Sequence, residues 1–193
     1  SNLETFFELN VPHLSAYSLT LEEKTALAHK VNKGLLSNLD EQKNYDQYLM
    51  LQRMIQAKGF EQYELSNYCE GKNYSKHNTS YWFGKKYLGI GPSAHSFDGT
   101  SRQWNLRNNS LYCKAIEEKQ PYFEKEILTE VDQYHEYLIT SLRTKWGIRL
   151  SFIKSEFSAP IFNHLAECIS KLDSLMIDIN GDSLVVKNEF LFQ

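Results

Sequence analysis

Cysteine is scarce. There are three in 193 residues, Cys69, Cys113 and Cys168, lying 44 and 55 positions apart. That spacing excludes a disulfide framework and a local metal knuckle. It is what a reducing compartment permits, so a cytoplasmic protein is expected. Basic excess is missing as well. Lys and Arg number 21 against 24 Asp and Glu, a net charge of −3, which excludes a protein that grips nucleic acid through its phosphates. No apolar run approaches the ~18 residues of a membrane span, and no signal or transit peptide is visible. Walker loop, nucleophile elbow and H-E-x-x-H are all absent. An initiating Met is absent too. The apolar pattern starts at once, with Leu3, Phe6, Phe7 and Leu9, and it persists to Phe190-Leu191-Phe192-Gln193. Domains rarely begin and end inside apolar elements. A C-terminal piece of a longer protein is therefore expected, with Ser1-Asn2 a remnant of tag removal.

Aromatic residues are plentiful. Twelve Tyr, eleven Phe and three Trp make 13% of a chain that is 41% hydrophobic and 23% charged, a globular composition. Many crowd between Phe60 and Trp104, where they form either a core or a surface for a flat ligand. The first part reads as a helix tail over 3–10, a strand over 13–21 and a short helix carrying Leu27, Val31 and Leu35. A longer helix is capped by Asp40 and stopped by Gly59. A strand over 60–68, a polar loop over 70–80 and a strand-like, glycine-bearing segment over 87–97 complete it. Strand, helix, strand predicts a βα unit with parallel pairing.

Beyond Asp98 the pattern becomes helical. Leu111, Ala115 and Ile116 mark a short helix. Thr129-Glu130-Val131-Asp132 resembles a capping box that opens a helix with Val131, Tyr134, Leu138 and Leu142 inward. Helices near 151–157 and 161–175 follow. A hairpin over 176–187 is expected to turn at Asn180-Gly181 in type I′ geometry. Three helices and a hairpin give a winged-helix-like order. DNA binding is excluded by charge: residues 147–193 carry four basic and six acidic side chains, and phosphate contacts need Lys and Arg in number. The division is placed at 1–104 and 105–193.

Chemistry is sparse. Gly89-Ile90-Gly91-Pro92-Ser93-Ala94 matches G-x-G-x-x-A, but the dinucleotide motif must open a helix, and His95-Ser96-Phe97-Asp98-Gly99-Thr100 is poor helix. A close-approach strand is the better reading. His77-Asn78-Thr79-Ser80-Tyr81-Trp82 is sharper. An imidazole can ligate iron, and Tyr81 and Trp82 offer flat faces with polar edges. Packing is the competing account of that cluster. Cys69 with His77 makes half a zinc site at most, and Glu64 lacks the second carboxylate of an acid–base pair.

Four stretches, HLSAYSLTLEEKT, GFEQYELSNYC, HNTSYW and YLGIGPSAHSF, occur in that order. Together they resemble the C-terminal half of the oxygen-independent coproporphyrinogen III oxidase family of radical S-adenosylmethionine proteins. The H-N-x-x-Y-W string resembles its HemW-type haem-chaperone branch. The resemblance implies an α/β plus α fold: the last segments of a partial (β/α)6 barrel, then a mostly helical, winged-helix-like domain closing its mouth. It implies S-adenosylmethionine and a [4Fe–4S] cluster in the full-length protein, and haem or porphyrin as ligand. It also implies, as partners, the N-terminal half and a haem-acceptor protein. The C-x-x-x-C-x-x-C motif that holds the cluster is absent, so the chain alone is expected to be inactive and to hold none of these groups stably. No catalytic or metal-ligating residue is assigned within it. By the resemblance, Thr20, Ile90 and His95 match positions that approach the cofactor. His77, Tyr81 and Trp82 become haem-site candidates. A porphyrin's propionates would call for donors, for which Lys76, Arg102 and Arg107 are candidates, with surface solvation the competing role of each.

Overall fold

The computed structural model describes residues 2–191. Ser1, Phe192 and Gln193, cited above at the chain's ends, lie outside the described residues. The chain divides into two compact units, residues 1–75 with 186–193, and residues 76–185.

The first unit contains α1 (Asn2–Glu8), β1 (His13–Ser15), α2 (Ala26–Asn32), α3 (Glu41–Ala57), β2 (Phe60–Glu64) and β3 (Asn67–Glu70). Helix α3 starts where the Asp40 carboxylate accepts the Lys43 amide at 2.9 Å, and it stops before Gly59, whose φ of 77° few other residues tolerate. Tyr48 and Ile55 of its apolar stripe are buried, as are Tyr63, Tyr68 and Cys69 of the sheet. The predicted parallel pairing does not form. Strand order is β1-β3-β2 and both pairings are antiparallel. Strands β1 and β2 do run in one direction, but the tight turn at Leu65-Ser66 folds β3 back between them. β1 is also shorter than the 13–21 expected, ending at Ser15.

A polar network braces this unit. The Gln52 side-chain amide donates to Gln62 at 2.7 Å, and Gln62 donates to the Leu65 carbonyl at 3.0 Å. The Tyr48 hydroxyl donates to the Asn188 carbonyl at 2.9 Å, holding the 3-10 turn Asn188–Phe190. Buried polar groups persist when paired in this way. Glu64 belongs to it structurally: its carboxylate accepts from the Ser66 amide at 3.1 Å and from the Asn67 side chain, closing the β2–β3 turn.

The second unit runs through α4 (Lys76–Trp82), β4 (His95–Phe97), β5 (Ser101–Asn105), α5 (Asn109–Glu117), β6 (Phe123–Ile127), α6 (Glu130–Leu142), β7 (Ile148–Arg149), α7 (Leu150–Glu156), α8 (Ala159–Lys171), β8 (Ile177–Asn180) and β9 (Ser183–Val186). Strands β4-β5-β6 form an antiparallel meander, and the second sheet is ordered β7-β9-β8. Residues 76–80, expected in a loop, are helical. The capping box opens α6 as predicted, with the Thr129 hydroxyl accepting the Asp132 amide and the Asp132 carboxylate accepting the Thr129 amide. Tyr134, Ile148, Ile153, Leu165 and Leu184 make the core, with Leu138, Leu142, Phe162 and Ile169 packed against it. Val131 is exposed instead.

The terminal hairpin turns at Gly181-Asp182 rather than Asn180-Gly181. Of these three residues only Gly181 has positive φ, 61°, the demand of a II′ turn and not of I′. Asp182 has another task. α7 has no side-chain cap of its own, so Asp182 supplies one from the turn, accepting the Ser151 amide and hydroxyl, each at 2.6 Å. These bonds, with Arg149 beside them, hold the carboxyl below its usual range. A depressed native pKa gives stability that is complete above the unfolded value of ~3.9 and is lost as pH falls below it. Asp182→Asn is therefore expected to lower the thermal midpoint at pH 7. The gap from wild type should narrow as circular-dichroism melts are moved from pH 5 toward pH 2.

Candidate functional site

The His77–Trp82 string forms α4, and the residue after Phe83 explains its end. Gly84 has φ of 59°. Its amide donates to the Tyr81 carbonyl at 3.0 Å, and the Lys85 amide donates to Ser80 at 3.0 Å, the two bonds of a Schellman ending. Helical spacing puts His77 under Tyr81. Their rings meet edge to face at 5.0 Å, and the Tyr81 hydroxyl lies 3.2 Å from His77 Nε2. Tyr81 then meets Tyr87 at 4.8 Å, and Tyr87 meets Phe97 at 6.1 Å.

Tyr87 and Phe97 are the ends of a tight loop rather than one long strand, joined by an isolated antiparallel bridge. The glycine reading of this loop holds at Gly89: a Cβ there would lie 2.1 Å from the His95 carbonyl oxygen. No helix follows Ala94, so the dinucleotide reading stays excluded. The loop is fastened from below by Asn105, a buried residue the sequence does not advertise. Its side-chain amide donates to the Gly91 carbonyl at 2.9 Å.

Tyr81, Trp82, Tyr87 and Phe97 line a cavity of about 890 Å³ within the second unit, near the upper end of small-molecule sites. Its other wall comes from Tyr137 and Thr140 of α6, from Trp146, and from Phe152 of α7. Phe83 packs on Trp146 at 4.8 Å and Tyr137 on Phe152 at 4.6 Å. Burial pushes the Tyr87 phenol up. Arg102 of β5 reaches the cavity and pairs with Glu136 of α6, Nη2 to Oε1 2.6 Å. Trp82 and Arg102 line the cavity, but Trp82 Nε1 and Arg102 Nε are themselves buried and closed off from it, without an acceptor.

The remaining sequence candidates are dispersed. His77 is exposed and touches the cavity only through Tyr81. Ile90, 85% exposed, and His95 sit on the loop's outer side, away from the cavity lining. Thr20 is an exposed coil residue of the first unit, its hydroxyl 3.5 Å from Glu22. Lys76 and Arg107 are exposed. Cys69 is buried in β3 with its thiol toward the Gly71 carbonyl, whereas Cys113 and Cys168 are exposed on helices. A [4Fe–4S] cluster needs several converging thiolates, and these cysteines do not supply them. Among the described residues no three His, Cys, Asp or Glu side chains gather as a metal site.

The fold is shared with a solved structure. Coproporphyrinogen III oxidase (HemN) from Escherichia coli, described as a radical SAM enzyme, superposes with a TM-score of 0.75 at 19% identity over 98% of this chain and 48% of its own. In sequence the chain is a homologue of the HemW heme chaperones. It is 33% identical to heme chaperone HemW of Lactococcus lactis over 172 residues, 89% of this chain and 45% of that protein. It is 32% identical to heme chaperone HemW of Bacillus subtilis over 76% of this chain and 39% of that protein. Radical S-adenosyl methionine domain-containing protein 1, mitochondrial, of Danio rerio is 41% identical over 83 residues, 43% of this chain and 19% of that protein. The chain thus spans less than half the length of these two HemW proteins. No family model matches it. Among the described residues no helix is long and apolar enough to cross a membrane.

Proposed function

We propose that this chain is the C-terminal half of a HemW-like radical SAM protein that binds haem and passes it to an acceptor protein. The homology to HemW along 89% of the chain carries the reading. Residues 1–104 then close a partial (β/α)6 barrel, and 105–193 form a helical, winged-helix-like cover. One feature that supports the barrel is β1, an outer strand paired on one side alone among the described residues, as a strand awaiting a neighbour would be. S-adenosylmethionine and the [4Fe–4S] cluster belong to the other half of such a protein, with Thr20, Ile90 and His95 facing them.

His77, Tyr81 and Trp82 are the haem-binding residues in this reading. A neutral imidazole ligates iron through the nitrogen that here faces the Tyr81 hydroxyl. Aromatic walls suit the macrocycle, a large apolar disc. The H-N-x-x-Y-W string favours the chaperone over a coproporphyrinogen oxidase, which the shared fold alone would equally allow. Titrating haem into the chain should shift the Soret band, and His77→Ala should abolish the ligation-dependent part of that shift and weaken binding about tenfold or more. Absence of any Soret change in wild type would overturn the reading. An unchanged shift in His77→Ala would remove His77 from the site.

A further inference from the structure

We propose that His164 and Cys168, side by side on the exposed face of α8, form a two-ligand site for a soft or borderline transition-metal ion such as Zn²⁺. The helix sets up the pair. Its inward face carries Ile161, Phe162, Leu165 and Ile169, which belong to the core of the second unit. His164 and Cys168 fall four residues apart on the outward side, and both are exposed. Residues at that spacing are neighbours on one helical face. It is also the spacing by which paired histidines on a helix hold zinc.

The distance suits a shared ion. Cys168 Sγ lies 3.7 Å from His164 Nε2 and 3.9 Å from Nδ1. In a tetrahedral zinc site, a Zn–S bond of ~2.3 Å and a Zn–N bond of ~2.0 Å put the two ligand atoms about 3.5 Å apart. The side chains already stand near the separation that chelation needs. Binding displaces the thiol proton to solvent, so one weak contact is exchanged for two metal bonds. Cys168 also lies in the last turn of α8, where the carbonyl end of a helix favours a cation. The nearby charge of Lys171 is taken up by Glu167 at 2.6 Å.

The donor set selects the ion. A thiolate with an imidazole favours Zn²⁺ or Cu⁺ over Mg²⁺ and Ca²⁺, which take oxygen ligands. Haem iron does not fit. Its porphyrin fills the equatorial positions, so two adjacent side chains on one helical face cannot both reach the metal. The site is thus independent of the haem-chaperone reading. Two protein ligands leave the other tetrahedral positions to water, which makes it weaker than a closed structural zinc site. Cys113 supplies the contrast: it is exposed on α5, but no histidine stands within a helical turn of it.

Co²⁺ is the probe, because its bond to a thiolate gives a near-ultraviolet charge-transfer band and Zn²⁺ displaces it. Titrated into the reduced chain, Co²⁺ should raise that band with one ion per chain. Cys168→Ser should abolish it, and His164→Gln should weaken Co²⁺ binding about tenfold or more. Cys113→Ser should leave band and affinity unchanged. Zn²⁺ should bleach the band and excess Mg²⁺ should not. Melts establish that each variant is folded, as expected for changes on an exposed face. A wild type without the band overturns the site, as does a band that survives Cys168→Ser. An affinity unchanged in His164→Gln overturns it too, since the thiol would then be binding metal alone.

Discussion

Cutting Ile153 back to alanine is expected to destabilise the second unit by about 2–5 kcal/mol. Ile153 is fully buried at the centre of the cluster formed by Tyr134, Ile148, Leu165 and Leu184. These residues come from α6, β7, α8 and β9, so one side chain touches the packing of a three-helix layer and a sheet together. Removing its three outer carbons loses the transfer energy of those carbons and leaves a void that rigid neighbours fill poorly. Urea unfolding followed by circular dichroism should record the loss as a lower midpoint with little change in slope. The adjacent residue supplies the contrast. Phe152 is 38% exposed and lines the cavity, so Phe152→Ala should cost much less stability and instead weaken porphyrin binding. A small effect at Ile153 would mean that the core lies elsewhere.

What the sequence disclosed, and what it hid, follows from how local each signal is. α3 was legible because Asp40, the tyrosine-rich stripe and Gly59 are all short-range features. The Thr129–Asp132 box was legible for the same reason. β6 was not. Its sequence FEKEI is exposed throughout and carries no apolar alternation, so only its pairing with β5 makes it a strand. α4 was hidden because seven polar and aromatic residues show no apolar period, and its Schellman ending depends on a single Gly84. The parallel pairing failed for a topological reason: the turn at Leu65-Ser66 gives β3 the position beside β1, and no periodicity reports which strand gets there first. At the site, Tyr81 and Trp82 could be picked out as flat and polar-edged. The opposite wall, Tyr137, Trp146 and Phe152, lies more than fifty residues further along the chain, and nothing local links it to them. Arg102 was legible as a cation, but its unsatisfied nitrogen is a property of packing alone.

The second large effect is expected at Gly89. Alanine there should cost about 1–3 kcal/mol or more, since an added carbon has to be accommodated against backbone and not against a flexible side chain. The Cβ would fall 2.1 Å from the His95 carbonyl oxygen and 2.8 Å from its amide nitrogen, well inside contact distance, so residues 87–97 must open. Opening loses the bond from the Gly89 amide to the Ser96 hydroxyl, 2.9 Å long. It also strains the paired amides of Tyr87 and Phe97, each donating to the other's carbonyl at 2.9 Å. Tyr87 and Phe97 are wall residues of the cavity, so the change should reach binding as well as stability. Gly91→Ala separates the causes. Gly91 has φ of 100° with nothing near its would-be Cβ, so its substitution strains the backbone without a clash. Gly89→Ala should therefore lower both the melting midpoint and the affinity for protoporphyrin IX, whereas Gly91→Ala should lower the midpoint and spare the affinity. Equal losses of affinity in the two variants would mean that the loop's strain, and not the close approach at His95, sets the cavity wall.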